Sequence, residues 1–472
     1  MPERFTAVIA ANRFGLGARP GELQSIGAGA REWLRAQLSG RAPELADAQL
    51  RSSAATLARA LQLRRELQDL KRETASGADP AASAKAVAAL QKVAQVYRPV
   101  YLAEVTARLR QAVSTEQPFL ERLTYFWSNH FAVSVDKNLV LGLAGSLERE
   151  AIRPNVLGQF VDMLLTVEQH PAMLLYLDNH VSSGPHSAFA RSAARRNGRR
   201  PGINENLARE ILELHTLGVG GGYTQADVTT FAEVLTGWSI SGGASARIFR
   251  PDPGKFMFRP GLHEPGTKLV LGKHYPDRGL EQGVGVLRDL AASPATAHFI
   301  ATKLARHFIA DEPPAGAVAR IAAEFLRTQG NLLAVYRVLI DSPEAWTRPL
   351  SKFKSPNDYV VSTFRGLQLP VAAGHAALAP FELLGQRTYS PGSPAGWPDR
   401  SDDWDGASAL LKRVEWADAV GQRVAGRCDA TILAPQLLGE VLTSMTRTAI
   451  GHAASAAQAL TLLLASPEFM RR

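Results

Sequence analysis

From Gly21 to Gln111 the chain is dominated by Ala, Leu, Arg, Glu and Gln, and this run restricts the fold before any other feature does. Stretches such as RSSAATLARALQLRRELQDLKRE, starting at Arg51, combine strong helix formers with charges suited to exposed faces. TASGADPAASA breaks the run and marks a turn. A second helical block, Pro118 to about Tyr176, contains ERLTYFWSNHF and VDMLLTVEQHPAMLLYLD. Helical patterning resumes at PATAHFIATKLARHFIA and continues, past the Pro/Gly/Trp-rich insertion YSPGSPAGWPDRSDDWDG, to ALTLLLASPEF. Only Ser239 to Pro276 differs in kind: it is dense in Gly and Pro, with the short alternations KFMF and KLVL. That composition predicts a long loop with a small β-ribbon, and loops of this length inside compact proteins are often functional. The expected fold is mainly α, a multi-helix globular protein with one Gly/Pro-rich insertion. Its expected divisions are an N-terminal helical region (1–116), a central helical region with the polar motifs (117–239), the insertion (240–290) and a C-terminal helical region (291–472). No internal repeat is visible.

With 472 residues, 46% apolar and 21% charged, the chain can bury two or three cores and is not of disordered composition. The net charge of +9 and sequence pI of about 9.7 are spread along the chain except at ARSAARRNGRR, Ala190 to Arg200. That run reads as a solvated loop that would also suit an acidic partner or a phosphate backbone. Nucleic-acid binding usually adds aromatic platforms or a docking helix, and neither is visible, so a nucleic-acid partner is disfavoured. Cys428 is the only cysteine, which excludes an internal disulfide framework and any Cys-rich metal site. A bound metal would need His, Asp, Glu or Asn. No stretch approaches about 18 uninterrupted apolar residues and the N-terminal residues lack a signal-peptide pattern, so a soluble protein with no export signal of its own is expected.

The residues able to carry chemistry cluster in GINENLAREILELHTLGVGGGYTQADVTTFAEVLTGW. A helix capped by Asn204 and stopped at Gly218 places Leu207, Ala208, Ile211, Leu212 and Leu214 on one face, with His215 in its middle. Glu205, Asn206, Arg209, Glu210 and Glu213 take the other side, and Glu205 and Arg209 form an i, i+4 pair. The same construction on PFLERLTYFWSNHF puts His130 at the centre of a face made by Phe119, Leu120, Leu123, Phe126, Trp127 and Phe131. Two inward histidines could pair, ligate a metal or act as acid and base; the alternative for each is a satisfied core histidine tying helices together. The next helix opens with Thr224 and Asp227 as a capping box, with Glu233 and Thr236 expected on its surface. In the insertion, His263 and Glu264 stand side by side with Lys268 close behind, and adjacent loop residues can both reach one centre. Lys303 and His307 share a helix face with Phe299, Ile300 and Leu304; such a lysine is a candidate anion binder or low-pKa base, although it more often snorkels to solvent. GVGGGY lacks the full dinucleotide fingerprint and SKFK lacks the companion motifs of Ser-x-x-Lys enzymes. His-Glu-x-x-His, Walker A and Gly-x-Ser-x-Gly are absent.

Taken together, AANRFGLGARPGE, FWSNHF, NENLAREILELHTLGVGGGYTQADV, LTGW, PATAHFIATKLARHF, SPAGWPD and LLLASPEF resemble the motifs of the large bacterial family catalogued as domain of unknown function eighteen-hundred, over nearly the whole chain. The family name carries no activity. The resemblance implies a mainly helical fold and, often, a neighbouring gene for an exported sulfatase-like or alkaline-phosphatase-like protein with a twin-arginine signal. It places the family's polar motifs on Asn129, His130, Asn204, Glu205, Asn206, Arg209, Glu210, His215 and a His-acid pair. That pair is usually His-Asp and here is His263 and Glu264, whose longer carboxylate could still ligate or act as base but is a weaker candidate for a geometrically strict ligand.

Two readings follow. In the first the chain is an enzyme whose catalytic residues are His130, Glu205, Arg209 and His215, with His263 and Glu264 supplied by a lid and able to hold a divalent metal. Asn129, Asn206, Glu210, Lys303 and His307 are its further candidates, and no cofactor is specified. In the second the chain is a non-catalytic partner, a maturation or escort factor for the sulfatase-like neighbour, and the polar clusters specify helix packing. The expected compartment is the cytoplasm, or the periplasm by co-export with the partner.

Overall fold

A computed structural model describes residues 5–39, 42–45, 47, 49–75, 80–197, 202–242, 253–347, 350 and 352–472. The helix-forming run becomes two long helices, Ser53–Ala75 and Pro80–Ser114, packed on each other. The second starts at a proline, whose missing N–H costs nothing in a first turn. The expected break between them falls partly on residues 76–79, outside the described residues. The helices continue through Pro118–His130, Phe160–Glu168, Gln225–Val234, Leu280–Ala291, Pro294–Phe308, Pro356–Gly366 and Ala407–Val424 to Ala456–Leu464. The protein is mainly α.

The apolar core runs without a break from Val8 to Met470. At one of its centres Phe14 stacks on Trp346 at 5.3 Å and on Phe308 at 5.8 Å, and meets the edge of Phe119 at 5.6 Å. This aromatic knot holds the Pro118–His130 and Pro294–Phe308 helices side by side, which sets the spacing of the residues they carry. The former helix is buried on almost every side. Its Trp127 donates to the Tyr336 hydroxyl at 2.6 Å, which donates to the Val156 carbonyl at 2.9 Å.

The insertion forms two antiparallel ribbons where one was expected. KFMF supplies Phe256–Phe258, paired with Trp238–Ile240. KLVL supplies Lys268–Val270, paired with Lys273–Tyr275 through a two-residue turn. Leu271 and Gly272 both have positive φ, 50° and 74°, as a tight hairpin turn of primed type requires. Leu271 tolerates it while its N–H donates to Asp227 at 2.7 Å. The arginine run, expected as a loop, is helical over Ala188–Asn197, because Ala-Arg-rich sequence favours helix; 198–201 lie outside the described residues. Among the described residues no helix is long and apolar enough to cross a membrane.

Among the described residues three segments widen into π-helix: Ala10–Phe14, Glu148–Ile152 and Ile211–His215. Each carries a buried ionisable group, Arg13, Glu148 or His215. Such widenings are frequent at functional sites.

Candidate functional site

The helix bearing His215 starts one residue later than its pattern predicts. Glu205 takes the N-cap position, while the Asn204 side chain accepts the Asn206 N–H at 2.9 Å. The turn then widens, so that Leu214 is only half-buried and His215 is fully buried. His215 Nδ1 donates to Glu168 Oε1 at 2.8 Å, and Glu168 is itself fully buried. His130 reaches the same place: a carbonyl can only accept, so its Nε2–H donates to the His215 carbonyl, at 3.1 Å, with the two rings 6.2 Å apart. The two inward histidines are therefore neighbours, joined through backbone. His130 Nδ1, His215 Nε2 and Glu168 Oε2 are buried with no hydrogen-bond partner among the described residues. Burial, then the charge of Lys303 and of His215, holds His130 well below the usual histidine range. Glu168 escaped the sequence reading, although Phe160, Met163, Leu164, Val167 and Glu168 form one helical stripe with the carboxylate as its last member.

A second dyad lies at the end of the Pro294–Phe308 helix. His307 Nδ1 donates to Asp399 Oδ2 at 2.9 Å. Asp399 stands in the second Pro/Gly/Trp-rich insertion, whose loop is clamped by Asn129. The Asn129 amide donates to the Trp397 carbonyl at 2.8 Å and accepts the Trp397 N–H at 2.7 Å. At Gly396, with φ of 83°, a Cβ would stand 2.3 Å from the Asn129 carbonyl oxygen, so this approach requires glycine. Lys352 donates to the carbonyls of Asp399, at 2.5 Å, and Arg306, at 2.7 Å. Arg472 donates to the His307 carbonyl at 2.9 Å and pairs with Asp358 at 2.9 Å, its other nitrogen lying 3.6 Å from Asp399. Burial pushes the Asp399 carboxyl up, but His307, Lys352 and Arg472 outweigh it and hold it below the usual carboxylate range. Burial pulls His307 down to about 4, against the attraction of Asp399. At neutral pH the ring is uncharged, its Nδ1 proton fixed on Asp399 and its Nε2 lone pair without a described partner.

Two clefts meet at this dyad. The smaller, about 100 Å³, is lined by Arg108, Arg122, Asp358 and Tyr389; the larger, about 250 Å³, by His130, Lys303 and Arg306. Asn129, His307, Trp397, Pro398 and Asp399 line both. The structure thus brings together Asn129, His130, Lys303 and His307 from the sequence candidates, and adds Asp399. The loop character of WPD hid Asp399, for no periodicity marks a loop residue.

The other candidates lie apart. Glu205 accepts from Thr229 at 2.7 Å, Gln225 at 2.9 Å and Arg209 at 3.0 Å, and this half-exposed cluster joins two helices. Asn206 is exposed and Glu210 half-buried, the latter's carboxyl pushed up by burial. His263 Nδ1 donates to the Thr236 carbonyl at 3.0 Å, while Glu264 turns to His186, accepting its N–H at 2.8 Å and meeting Nδ1 at 2.7 Å. Among the described residues no hydrogen bond, ion pair or ring contact joins Glu205, Arg209, His263 or Glu264 to His130 or His215. Nor does any group of three or more His, Cys, Asp or Glu stand ready to hold a metal ion. Thr236, expected at the surface, is buried because its hydroxyl accepts the Glu264 N–H at 2.8 Å and donates to the Glu233 carbonyl at 2.5 Å.

The family model described as "Protein of unknown function (DUF1800)" matches residues 9–471. The chain belongs to the DUF1800 family. No curated protein and no solved structure matches it.

The buried histidines give this DUF1800 protein a testable acid response. In the unfolded chain a histidine titrates near about 6.5. With His307 held to about 4 and His130 also depressed, the unfolded state binds more protons below about pH 6.5, so stability must fall as the pH drops. His307 contributes about 1.4 kcal/mol per pH unit, or about 3 kcal/mol by pH 4, and His130 adds to the loss in the same direction. Urea-unfolding midpoints between about pH 7 and pH 4.5 should fall steadily, with a shallower slope in His307→Asn. A flat profile would contradict the buried neutral histidines.

Proposed function

We propose that this protein is an enzyme in which His307 moves a proton to and from a small polar substrate bound where the two clefts meet. The observation that carries this reading is the His307–Asp399 pair: His307 lines both clefts, its Nδ1 is held by Asp399, and its buried Nε2 has no partner among the described residues. Asp399 fixes the tautomer and stabilises the imidazolium that forms when Nε2 takes the proton; His307 then returns the proton to the departing atom. Asn129 is a positioning residue, since it holds the loop that carries Asp399. His130 faces the larger cleft and is oriented through the His215 carbonyl, with Glu168 behind His215. The buried histidines, glutamate and arginines around the clefts are costly to desolvate, which is usual where a protein needs shifted proton affinities.

Untargeted mass spectrometry tests the reading. Purified protein is incubated with a small-molecule extract, and compounds depleted or formed are compared with those in His307→Asn. At least one substrate-product pair should appear with wild type and vanish with the variant at unchanged melting temperature. Equal turnover by both proteins would sink the reading. No turnover at all, with co-purification of a sulfatase-like protein, would favour the escort role.

A further inference from the structure

We infer that the larger cleft binds an oxyanion of the substrate between Lys303 and Arg306, an assignment of substrate class that rests on the acid–base reading of His307. Lys303, Arg306 and His307 stand at i, i+3 and i+4 on the Pro294–Phe308 helix and so share one face. All three are half-buried and all three line the cleft of about 250 Å³. The Lys303 ammonium makes no hydrogen bond or ion pair among the described residues, and its described contact is the Phe299 ring, 5.5 Å away. Among the described residues the Arg306 side chain donates only to the Asp311 carbonyl, at 3.3 Å, and meets no carboxylate.

The other charges of the cleft do not neutralise these two. Asp399 is engaged by His307 and Lys352, and Arg472 lies close to it. Arg400 pairs with Glu312 at 2.8 Å and Asp402 at 3.4 Å, and Asp403 is exposed at the rim. The inner wall therefore carries two like charges one helical turn apart; Asp399 attracts Lys303 across the cleft, but among the described residues no carboxylate forms an ion pair with either. Such a pair is costly to desolvate, and burial already holds Lys303 down to about 8. A phosphate, sulfate or carboxylate group between them removes the repulsion, with lysine acting as a point charge and arginine as a donor fork. An oxyanion held there places the rest of the molecule against His307, the next residue on the same face. The substrate class is a small molecule bearing an oxyanion beside the atom that gives up or receives the proton.

Sulfate is a suitable probe because it stays a dianion over the working pH range, and calorimetric titration of the full chain reads its binding. Wild type should bind sulfate with a Kd of about 1 mM or tighter, weakening with added sodium chloride. Lys303→Gln and Arg306→Gln, which keep most of each side chain's stem, should each weaken binding about tenfold or more at unchanged melting temperature. If one of them fails to fold, the other carries the test. His307→Asn should bind sulfate as wild type does while losing turnover. No saturable binding below about 10 mM, or wild-type affinity in the folded glutamine variants, overturns the anion site even if turnover depends on His307. Normal turnover in His307→Asn, with sulfate binding still lost in the glutamine variants, would instead remove the acid–base reading and leave the anion site standing.

Discussion

Asp399→Asn is expected to lower turnover of whatever substrate the extract reveals by about ten-thousandfold, the fall seen when the orienting carboxylate of a Ser-His-Asp triad becomes an amide. The Asp399 carboxylate can only accept from His307 Nδ1, so it leaves Nε2 as the base. An asparagine can present its N–H₂ instead, which favours the opposite tautomer and puts the proton on Nε2. The imidazolium formed in the reaction also loses its counter-charge, in a site where burial already holds His307 to about 4. The wild-type rate should rise as the pH increases through the pKa of His307 and be level at neutral pH, since the base is then fully unprotonated. The variant should show a lower plateau, with the substrate Kd little changed. A fall in rate of less than tenfold would mean that Asp399 does not orient the base. Lys352 and Arg472 still flank the loop in the variant, so a melting temperature near that of wild type would assign the loss to chemistry and not to collapse of the site.

The parts of this site that were legible in the sequence are those on regular helices. A 100° wheel put His130 and His215 on apolar faces, and the structure places them against each other. It failed at Leu214, because the turn there is wider than an α-turn, and no composition signal marks a π-segment. Glu168 was readable in principle, as an acidic residue completing an apolar stripe. Asp399 was not, because its partner His307 is 92 residues away and the loop between carries no period. Helix geometry puts Glu205 and Arg209 on the side opposite His215, and there they bind the Gln225–Val234 helix instead of joining the histidines as expected. His263 and Glu264 illustrate a different limit. Adjacent loop residues can reach one centre, but here the peptide between them turns their side chains to separate partners, Thr236 and His186.

Glu148→Ala is expected to destabilise the fold by about 3–5 kcal/mol, since removing one member of a buried ionic group strands the rest. The Glu148 carboxylate is fully buried and accepts from Arg108 at 2.8 Å, Arg153 at 2.9 Å and the Tyr389 hydroxyl at 3.1 Å. Burial pushes its carboxyl up, and the two arginines outweigh this and hold it low. Without it Arg153 keeps Glu121, at 2.8 and 2.5 Å, but Arg108 keeps only the faces of Tyr125 and Tyr389. The loss should therefore fall mainly on Arg108, and an Arg108→Leu, Glu148→Leu double variant should recover most of the stability, because apolar replacement removes the cost of desolvating both charges. Denaturant unfolding of the two variants checks this. A cost below about 1 kcal/mol for Glu148→Ala, or a double variant as unstable as the single, would show that the network is not coupled in this way. Recovery of stability would raise the question of why the charges are there at all. Arg108 and Tyr389 line the smaller cleft, so an apolar pair that restores the fold would still remove the polar wall beside His307. The ions are then kept for the shape and charge of the site, at a cost that the surrounding core offsets.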